Sequence, residues 1–316
     1  MTSAVHPAAP LLAVVGPTGT GKSDLGIAIA QRLIESGRPA EIVNCDSMQF
    51  YRGMDIGTAK LPLAERQGIK HHLIDHLDIK AESSAADYQL LARPLIEDLQ
   101  SSGITPILVG GSMLYIAAVL NDFDFPGTDE ALRSKLEAEL LAVGPLAMHA
   151  KLAALDPVAA SRIIPQNGRR SVRAIEIVTM TGKPFAAALP EVPTEWQPSL
   201  QIGLNGPREE LVERLELRVQ RMWQQGLVAE VEGLIAQGLR DAKTAKRAIG
   251  YAQALAQLDG EIAQEAAIAD TVRLTQKYAR RQMSWFRRDK RINWLDYRDD
   301  AKLQSAMALV EAQFEK

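Results

Sequence analysis

The 316-residue chain has one cysteine, Cys45, no long apolar run, and a formal net charge of only -3. Each shortage excludes something. A single thiol rules out an intramolecular disulfide framework and fits a reducing cytosol better than a secreted life. No apolar run approaches the ~20 residues that cross a bilayer, and the N-terminal "MTSAVHPAAP" has neither a basic region nor an apolar core, so a soluble cytoplasmic protein is expected. A small net charge argues against indiscriminate binding to polyanions, yet it conceals clusters. Arg162, Arg169, Arg170 and Arg173 occur with no acid among them, and Lys277 to Arg291 holds seven basic residues against the single acid Asp289. Taken alone, such a run is as readily a solvated helix face as a binding face. Internal repeats and low-complexity segments are also missing.

The length predicts two structural units, since single domains run to ~100 to 200 residues. "LLAVVG" is a short apolar run ending in glycine, the pattern of a buried parallel strand. A helix should follow, with Leu25, Ala28, Ile29 and Leu33 at helical spacing and Gly37 as its stop. "EIVNC" predicts a second strand whose C-terminal end delivers Asp46, Ser47, Met48 and Gln49, where open α/β sheets bind ligands. Ala85 to Ser101 predicts a helix, and "ITPILVGG" another buried strand. Strand alternating with helix implies a parallel sheet covered on both faces. The order breaks at Asn121 to Glu130, consecutive helices follow to Pro184, and Pro190, Pro193 and Pro198 close the stretch before "LQIGLN" alternates as a strand. The expectation is a core of residues 11–121 and 199–316 with a helical insertion over 122–198. Beyond it lie two apolar stripes, Leu211, Leu215, Val219 and Met222, then Val228, Val231, Leu234 and Ile235. A long helix over about Ile262 to Arg288 and a short strand at "INWL" complete the reading.

Gly16, Pro17, Thr18, Gly19, Thr20, Gly21, Lys22 and Ser23 match GxxxxGK[ST] between a predicted strand and helix. Glycines let backbone N–H groups converge on anionic oxygens, the helix dipole favours negative charge, Lys22 reaches terminal phosphate oxygens, and the Ser23 hydroxyl can ligate Mg²⁺. Such a loop reports a di- or triphosphate without naming the group transferred. ATPases usually pair it with an acid at the end of another buried strand. "ILVGG" ends in glycines, which leaves Asp46 as the candidate magnesium acid.

Two further groupings invite functional readings. His71, His72, Asp75 and His76 suggest a metal site, against which stands the lack of ligands from a second segment or of a cysteine cluster. Tyr278, Arg281, Gln282 and Trp285 share one helical face that could stack bases, although aromatics at that spacing more often form a core seam, and these four are left out of the candidate site.

Taken together, "GPTGTGKS", "NCDSMQFYRGMDIGTAK", "HHLID", "GGSMLY", "DPVAASRI", "RRSVRAIEI", "RVQRMWQQGLVAEV", "AIGY" and "KYARRQMSWFRR" resemble the tRNA dimethylallyltransferase (tRNA isopentenyltransferase) family, in its order, over about residues 11 to 296. The resemblance implies a P-loop NTPase-like fold whose loop holds dimethylallyl diphosphate in place of ATP. The five-carbon group would pass to N6 of the adenine 3′-adjacent to the anticodon. An exocyclic amine is a poor nucleophile, so a carboxylate that accepts its proton is useful, and Asp46 is the chosen base. Ser112 would sit at the mouth of the site. Ser112 and Met113 depart from the family's usual threonine and glycine, which leaves the hydroxyl's orientation open. Arg218 resembles the family's arginine at the diphosphate, with Arg214 one turn earlier as the alternative. By resemblance, Asp46, Ser47, Met48, Gln49 and Ser112 contact the flipped base or its neighbours. Arg133, Arg169, Arg170, Ser171, Val172, Arg173 and Arg247 would grip the anticodon stem loop. Mg²⁺ is the implied cofactor, and a monomer is expected, since one chain could embrace one tRNA arm. Competing readings are an ATP-dependent small-molecule kinase, a nucleotide-binding module without turnover, and the adenylate isopentenyltransferase, whose free nucleotide needs no stem-gripping insertion.

Overall fold

The computed structural model describes residues 9–123, 125–185 and 194–315. The expected closing prolines Pro190 and Pro193, and most of the N-terminal segment, lie outside them. Two compact units emerge. One comprises the residues up to Asn121 together with those from Glu195 onward, and the other is Asp122–Thr194. The second boundary therefore falls short of residue 198, because Glu195 bridges to Asn121 and Trp196 packs into the core beside the sheet.

In the first unit, β1 (Leu11–Val15) feeds the glycine-rich loop and α1 (Lys22–Glu35). β2 (Ala40–Asn44), β3 (His71–His72), α2 (Ala85–Ser101), β4 (Thr105–Val109) and α3 (Met113–Leu120) follow. The helical unit then contributes α4 (Glu130–Leu155), α5 (Pro157–Arg162) and α6 (Gly168–Thr181). The chain returns through β5 (Ser199–Asn205), α7 (Arg208–Gln224), α8 (Leu227–Ala236), α9 (Tyr251–Leu258), α10 (Gln264–Phe286), β6 (Ile292–Asp296) and α11 (Lys302–Phe314).

The six strands form one parallel sheet in the order β3-β2-β4-β1-β5-β6. β1 is buried on both faces, which is why it reads as an unbroken apolar run. Leu12 and Val14 point into a cluster with Leu25, Ile29 and Leu33 of α1 and Val310 of α11, whereas Leu11, Ala13 and Val15 face Tyr88, Ile96 and Phe286 on the other side. Each such burial contributes roughly 1.5 to 3 kcal/mol for a large aliphatic or aromatic side chain. The outcome is a rigid sheet whose carboxyl ends carry the loops of interest. α2 starts on a capping box between Ser84 and Asp87, matching its predicted limits. β3 was not expected, since two residues carry no periodicity; it pairs His71 and His72 with Ile42 and Val43.

A third cluster joins Val219, Met222 and Trp223 of α7, Leu227 and Val231 of α8, and Tyr251 of α9 around Tyr51 and Met54 from the segment after β2. Val219 and Met222 of the first predicted stripe and Val228, Val231 and Leu234 of the second thus hold that segment, whereas Leu211 and Leu215 lie beside Gly19 of the glycine-rich loop. In the helical unit, α4 is long and apolar enough by length and composition to span a membrane. Gly144, with φ 79°, interrupts it before Pro145, so neither piece has the ~20 residues a span requires. Its buried residues Leu136, Met148 and Leu152 pack instead on Val172 and Ile175 of α6.

Candidate active site

The site lies within the first unit, at the carboxyl ends of β1, β2 and β4. Gly16 leaves β1 with φ 139°, and a Cβ there would lie 2.6 Å from the Leu204 carbonyl oxygen, so only glycine fits. α1 starts after Gly21, in the left-handed region, with no side-chain cap, which leaves its first N–H groups for an anion. Lys22 Nζ donates to the Pro17 carbonyl at 2.7 Å, and the Thr20 hydroxyl donates to the same oxygen at 2.9 Å. These bonds close the loop around its lysine. Ser23 is exposed, and its hydroxyl makes no hydrogen bond among the described residues.

Arg218, on the half-buried face of α7, reaches this loop, with Nη1 3.2 Å from Thr18 Oγ1 and Nη2 3.5 Å from the Thr58 carbonyl. Its Nε is buried without a partner. Arg214, the alternative one turn earlier on the same face of α7, is exposed and stacks over Tyr297 at 5.0 Å, so the hydrogen bond to Thr18, and not helical phase, distinguishes Arg218 at the loop.

Asp46 follows β2 and caps the short turn Ser47–Phe50, its Oδ1 accepting the Met48 N–H at 3.2 Å. Burial raises its carboxyl above the ordinary carboxylate value, and the Met48 N–H, Lys22 and Arg218 partly offset that rise. Burial likewise lowers the Lys22 ammonium to about 8, with Asp46 opposing and Arg218 adding to the shift. Arg218 is lowered by burial too, with Asp46 in opposition. One carboxylate thus shares a half-buried recess with two cations, each sensing the others.

The Ser112 hydroxyl accepts the Ser47 N–H at 2.9 Å and donates to Ser47 Oγ at 3.1 Å. It holds the turn that carries Asp46, a role expected of neither residue from sequence. Met113 begins α3 and packs against the core. Gln49 Nε2 donates to the Thr58 carbonyl at 3.2 Å, and Met48 packs against the third cluster. The segment leading to Thr58 is held by Glu230 of α8, whose carboxylate accepts the N–H groups of Asp55 (3.1 Å), Ile56 (2.7 Å) and Gly57 (3.4 Å). Three consecutive backbone donors on one carboxylate make a nest. Buried Lys60 ties the same segment to the Tyr51 carbonyl, Asp55 and Asp75.

Two site neighbours come from α10. Gln282 is 1% exposed and bonds both the phosphate loop and the turn after β4. The Tyr278 phenol is raised chiefly by burial and further by the charge of Asp46. Of the four residues on the expected core seam only Gln282 is buried, with Tyr278 and Trp285 half-buried and Arg281 exposed, so the face is a seam in part and packs in part against the site. A buried glutamine in the middle of such a face was the available signal.

The segment "HHLIDH" holds no metal cluster among the described residues. His71 Nδ1 contacts the Ile69 carbonyl, His72 pairs with Glu41, Asp75 pairs with Lys60, and His76 lies 4.9 Å from the Phe50 ring.

In the helical unit, Ser171 and Val172 are buried, against the expectation that they accompany the arginines on an RNA-binding face. The physical reason is the helix period, which turns both inward with Ala174 and Ile175. Arg133 and Arg173 both pair with Glu176, which is fully buried, and Arg173 also donates to the Pro126 and Gly127 carbonyls. Arg169 and Arg170 are exposed on α6. In the first unit, Arg247 is exposed on the turn Ala245–Arg247.

The arrangement can bind an anion, stabilise negative charge that develops on it, and take up a proton beside it. Comparison with known proteins agrees with that chemistry. A family model described as IPP transferase matches residues 49–289. The chain is 56% identical over 300 residues to a tRNA dimethylallyltransferase of Thermobifida fusca (strain YX), covering 95% of this chain and 94% of that one. Among solved structures, the full-length tRNA isopentenylpyrophosphate transferase of Bacillus halodurans superposes with a TM-score of 0.71 at 38% identity, covering 97% of both chains. A eukaryotic dimethylallyltransferase acting on tRNA superposes with a TM-score of 0.78 at 27% identity, over 96% of this chain and 78% of that one. On this sequence similarity, spread over nearly its whole length, the chain belongs to the tRNA dimethylallyltransferase (IPP transferase) family.

Proposed function

We propose that the protein transfers a dimethylallyl group from dimethylallyl diphosphate to N6 of the adenine 3′-adjacent to the anticodon in tRNA, releasing diphosphate. The observation that carries this reading is that Arg218 reaches Thr18 of the phosphate loop that holds Lys22, with Asp46 at the end of β2 near enough for the three charges to shift one another. An allylic diphosphate reacts as its C1–O bond breaks and the electron pair leaves with the diphosphate. The loop N–H groups of Gly19 to Ser23, Lys22 and the unpartnered Arg218 Nε suit that growing charge, an effect worth about 3 to 4 kcal/mol per well-placed donor. The N6–C1 bond forms on the other side, and Asp46 accepts the amine proton. A base that sits above the ordinary carboxylate value is better matched to that transfer near neutral pH.

The free Ser23 hydroxyl, in the first turn of α1 beside the cradle, is the kind of hard oxygen donor that Mg²⁺ prefers. When bound there, Mg²⁺ would neutralise charge on the diphosphate. Ser47, Met48 and Gln49 are proposed to contact the flipped adenine or its neighbours, held by Ser112 and Thr58. Arg169, Arg170 and Arg247 are proposed to contact phosphates of the anticodon stem loop. Arg133 and Arg173 shape the helical unit through Glu176 in addition to any contact with RNA. A loop adenine can be unstacked at a cost of about a few kcal/mol, which suits single-stranded loops as targets. We further propose that the enzyme acts in the cytoplasm as a monomer. Transfer of labelled dimethylallyl groups to an unmodified tRNA tests the reading, and failure to label RNA would reject it.

A further inference from the structure

We propose that Gln282 is a positioning residue that fixes the separation between the diphosphate cradle and the turn that presents the proton acceptor. The proposal rests on the prenyl-transfer reading above. Gln282 projects from α10, 264 residues along the chain from Thr18, and is 1% exposed. Both ends of its amide are spent. Oε1 accepts the Thr18 N–H at 2.9 Å, and Nε2 donates to the Gly111 carbonyl at 2.8 Å. The amide therefore staples the loop after β1 to the loop after β4, two strands that are neighbours in the sheet.

Those two loops carry different halves of the reaction. On one side Thr18 accepts from Arg218, and its loop contains Lys22. On the other, Gly111 precedes Ser112, whose hydroxyl holds Ser47 and with it the turn begun by Asp46. Gly111 makes the staple possible, since a Cβ there would lie 2.4 Å from Gln282 Nε2. The bond to Thr18 has a second effect. It occupies that N–H, so the anion-binding donors of the loop begin at Gly19. An apolar side chain of equal length would leave a part-buried N–H and a buried C=O without this partner, and the loops would have to shift to satisfy them. Reactions that depend on near-attack geometry lose about 100-fold in rate for a displacement of about 1 Å. Burial alone does not account for the residue, because a leucine or methionine would fill the space without linking the two loops.

The test compares Gln282→Met, which keeps length and loses both bonds, with Gln282→Glu, which keeps an acceptor for Thr18 but has no donor for Gly111 when ionised. Three quantities are read in the full chain: affinity for inorganic pyrophosphate, affinity for an unmodified tRNA, and the single-turnover rate constant at saturation of both substrates, as distinct from its amplitude. The expected result is about a tenfold loss of pyrophosphate affinity in Gln282→Met, unchanged tRNA affinity, and a rate constant lower by about 100-fold in both variants. A purely structural role would lower melting temperature and amplitude while leaving the rate constant and the pyrophosphate affinity of the folded fraction alone, and that pattern would overturn the proposal. If Gln282→Met is poorly folded, the rate constant of Gln282→Glu carries the test, because a carboxylate beside the loop lowers pyrophosphate affinity by charge alone. Should the wild-type protein transfer nothing to RNA, the prenyl-transfer reading fails, and the pyrophosphate arm still decides whether Gln282 sets the loop.

Discussion

Replacing Arg218 with glutamine should do two things at once, and their combination is specific to this geometry. Arg218 touches the loop through Thr18, is anchored by Thr58, and carries one buried N–H without a protein partner. If that guanidinium stabilises the departing diphosphate, its loss removes about 3 kcal/mol of transition-state stabilisation, or roughly 100- to 1,000-fold in the chemical step. Arg218 also helps to hold the Asp46 carboxyl down. Removing a cation disfavours the ionised carboxylate, so its pKa rises further, and the acid limb of the pH–rate profile must move to higher pH. The assay is rapid-quench single turnover with labelled dimethylallyl diphosphate and saturating tRNA, repeated across the acid range. Arg214→Gln is the control, since Arg214 is exposed and stacks on Tyr297, and it should leave the rate within about twofold of wild type. A rate for Arg218→Gln within about threefold of wild type, or an acid limb that stays in place, would refute the reasoning.

Three other outcomes follow from the same structure. Asp46→Asn should bind pyrophosphate and tRNA yet lose at least ~100-fold in the single-turnover rate, and a retained rate would remove Asp46 as the proton acceptor. Because burial lowers Lys22 to about 8, its positive charge is lost as pH rises through that value, so pyrophosphate affinity of the free protein should fall above it; a titration flat to the ordinary lysine value of 10.5 would contradict this. Glu176→Gln leaves Arg133 and Arg173 without their buried anion, a loss of about 3 to 5 kcal/mol, to be read as faster hydrogen exchange in α4 and α6 with the sheet core unchanged. Unaltered exchange in those helices would show that the pairing carries little.

Much of the core was legible because its signals are local. The unbroken apolar run of β1, the glycines and lysine behind it, and the alternation in β5 each reflect a backbone environment that only certain residues tolerate. Asp46 was found for the same reason, standing at the end of a recognisable strand. What escaped notice depends on contacts distant in sequence. Gln282 reads as one polar position on an aromatic face until Thr18 and Gly111 are placed beside it. Glu230 looks like any acid on a helix, and only the fold brings the backbone of Asp55 to Gly57 onto it. The resemblance carries the whole stretch Arg169 to Arg173 onto the RNA, Ser171 and Val172 with it, whereas exposure follows the helical turn. Glu176 gave a signal in hindsight, as an acid between Ile175 and Ile177 on an inward face requires partners.

The central claim is that this phosphate loop serves prenyl transfer to RNA. Labelled dimethylallyl diphosphate, Mg²⁺ and an unmodified tRNA with adenine after the anticodon should yield label on that adenine, with no ATP consumed in a parallel reaction. Steady release of the γ-phosphate of ATP with unlabelled RNA would contradict the account and return Asp46 to the role of a magnesium-holding acid.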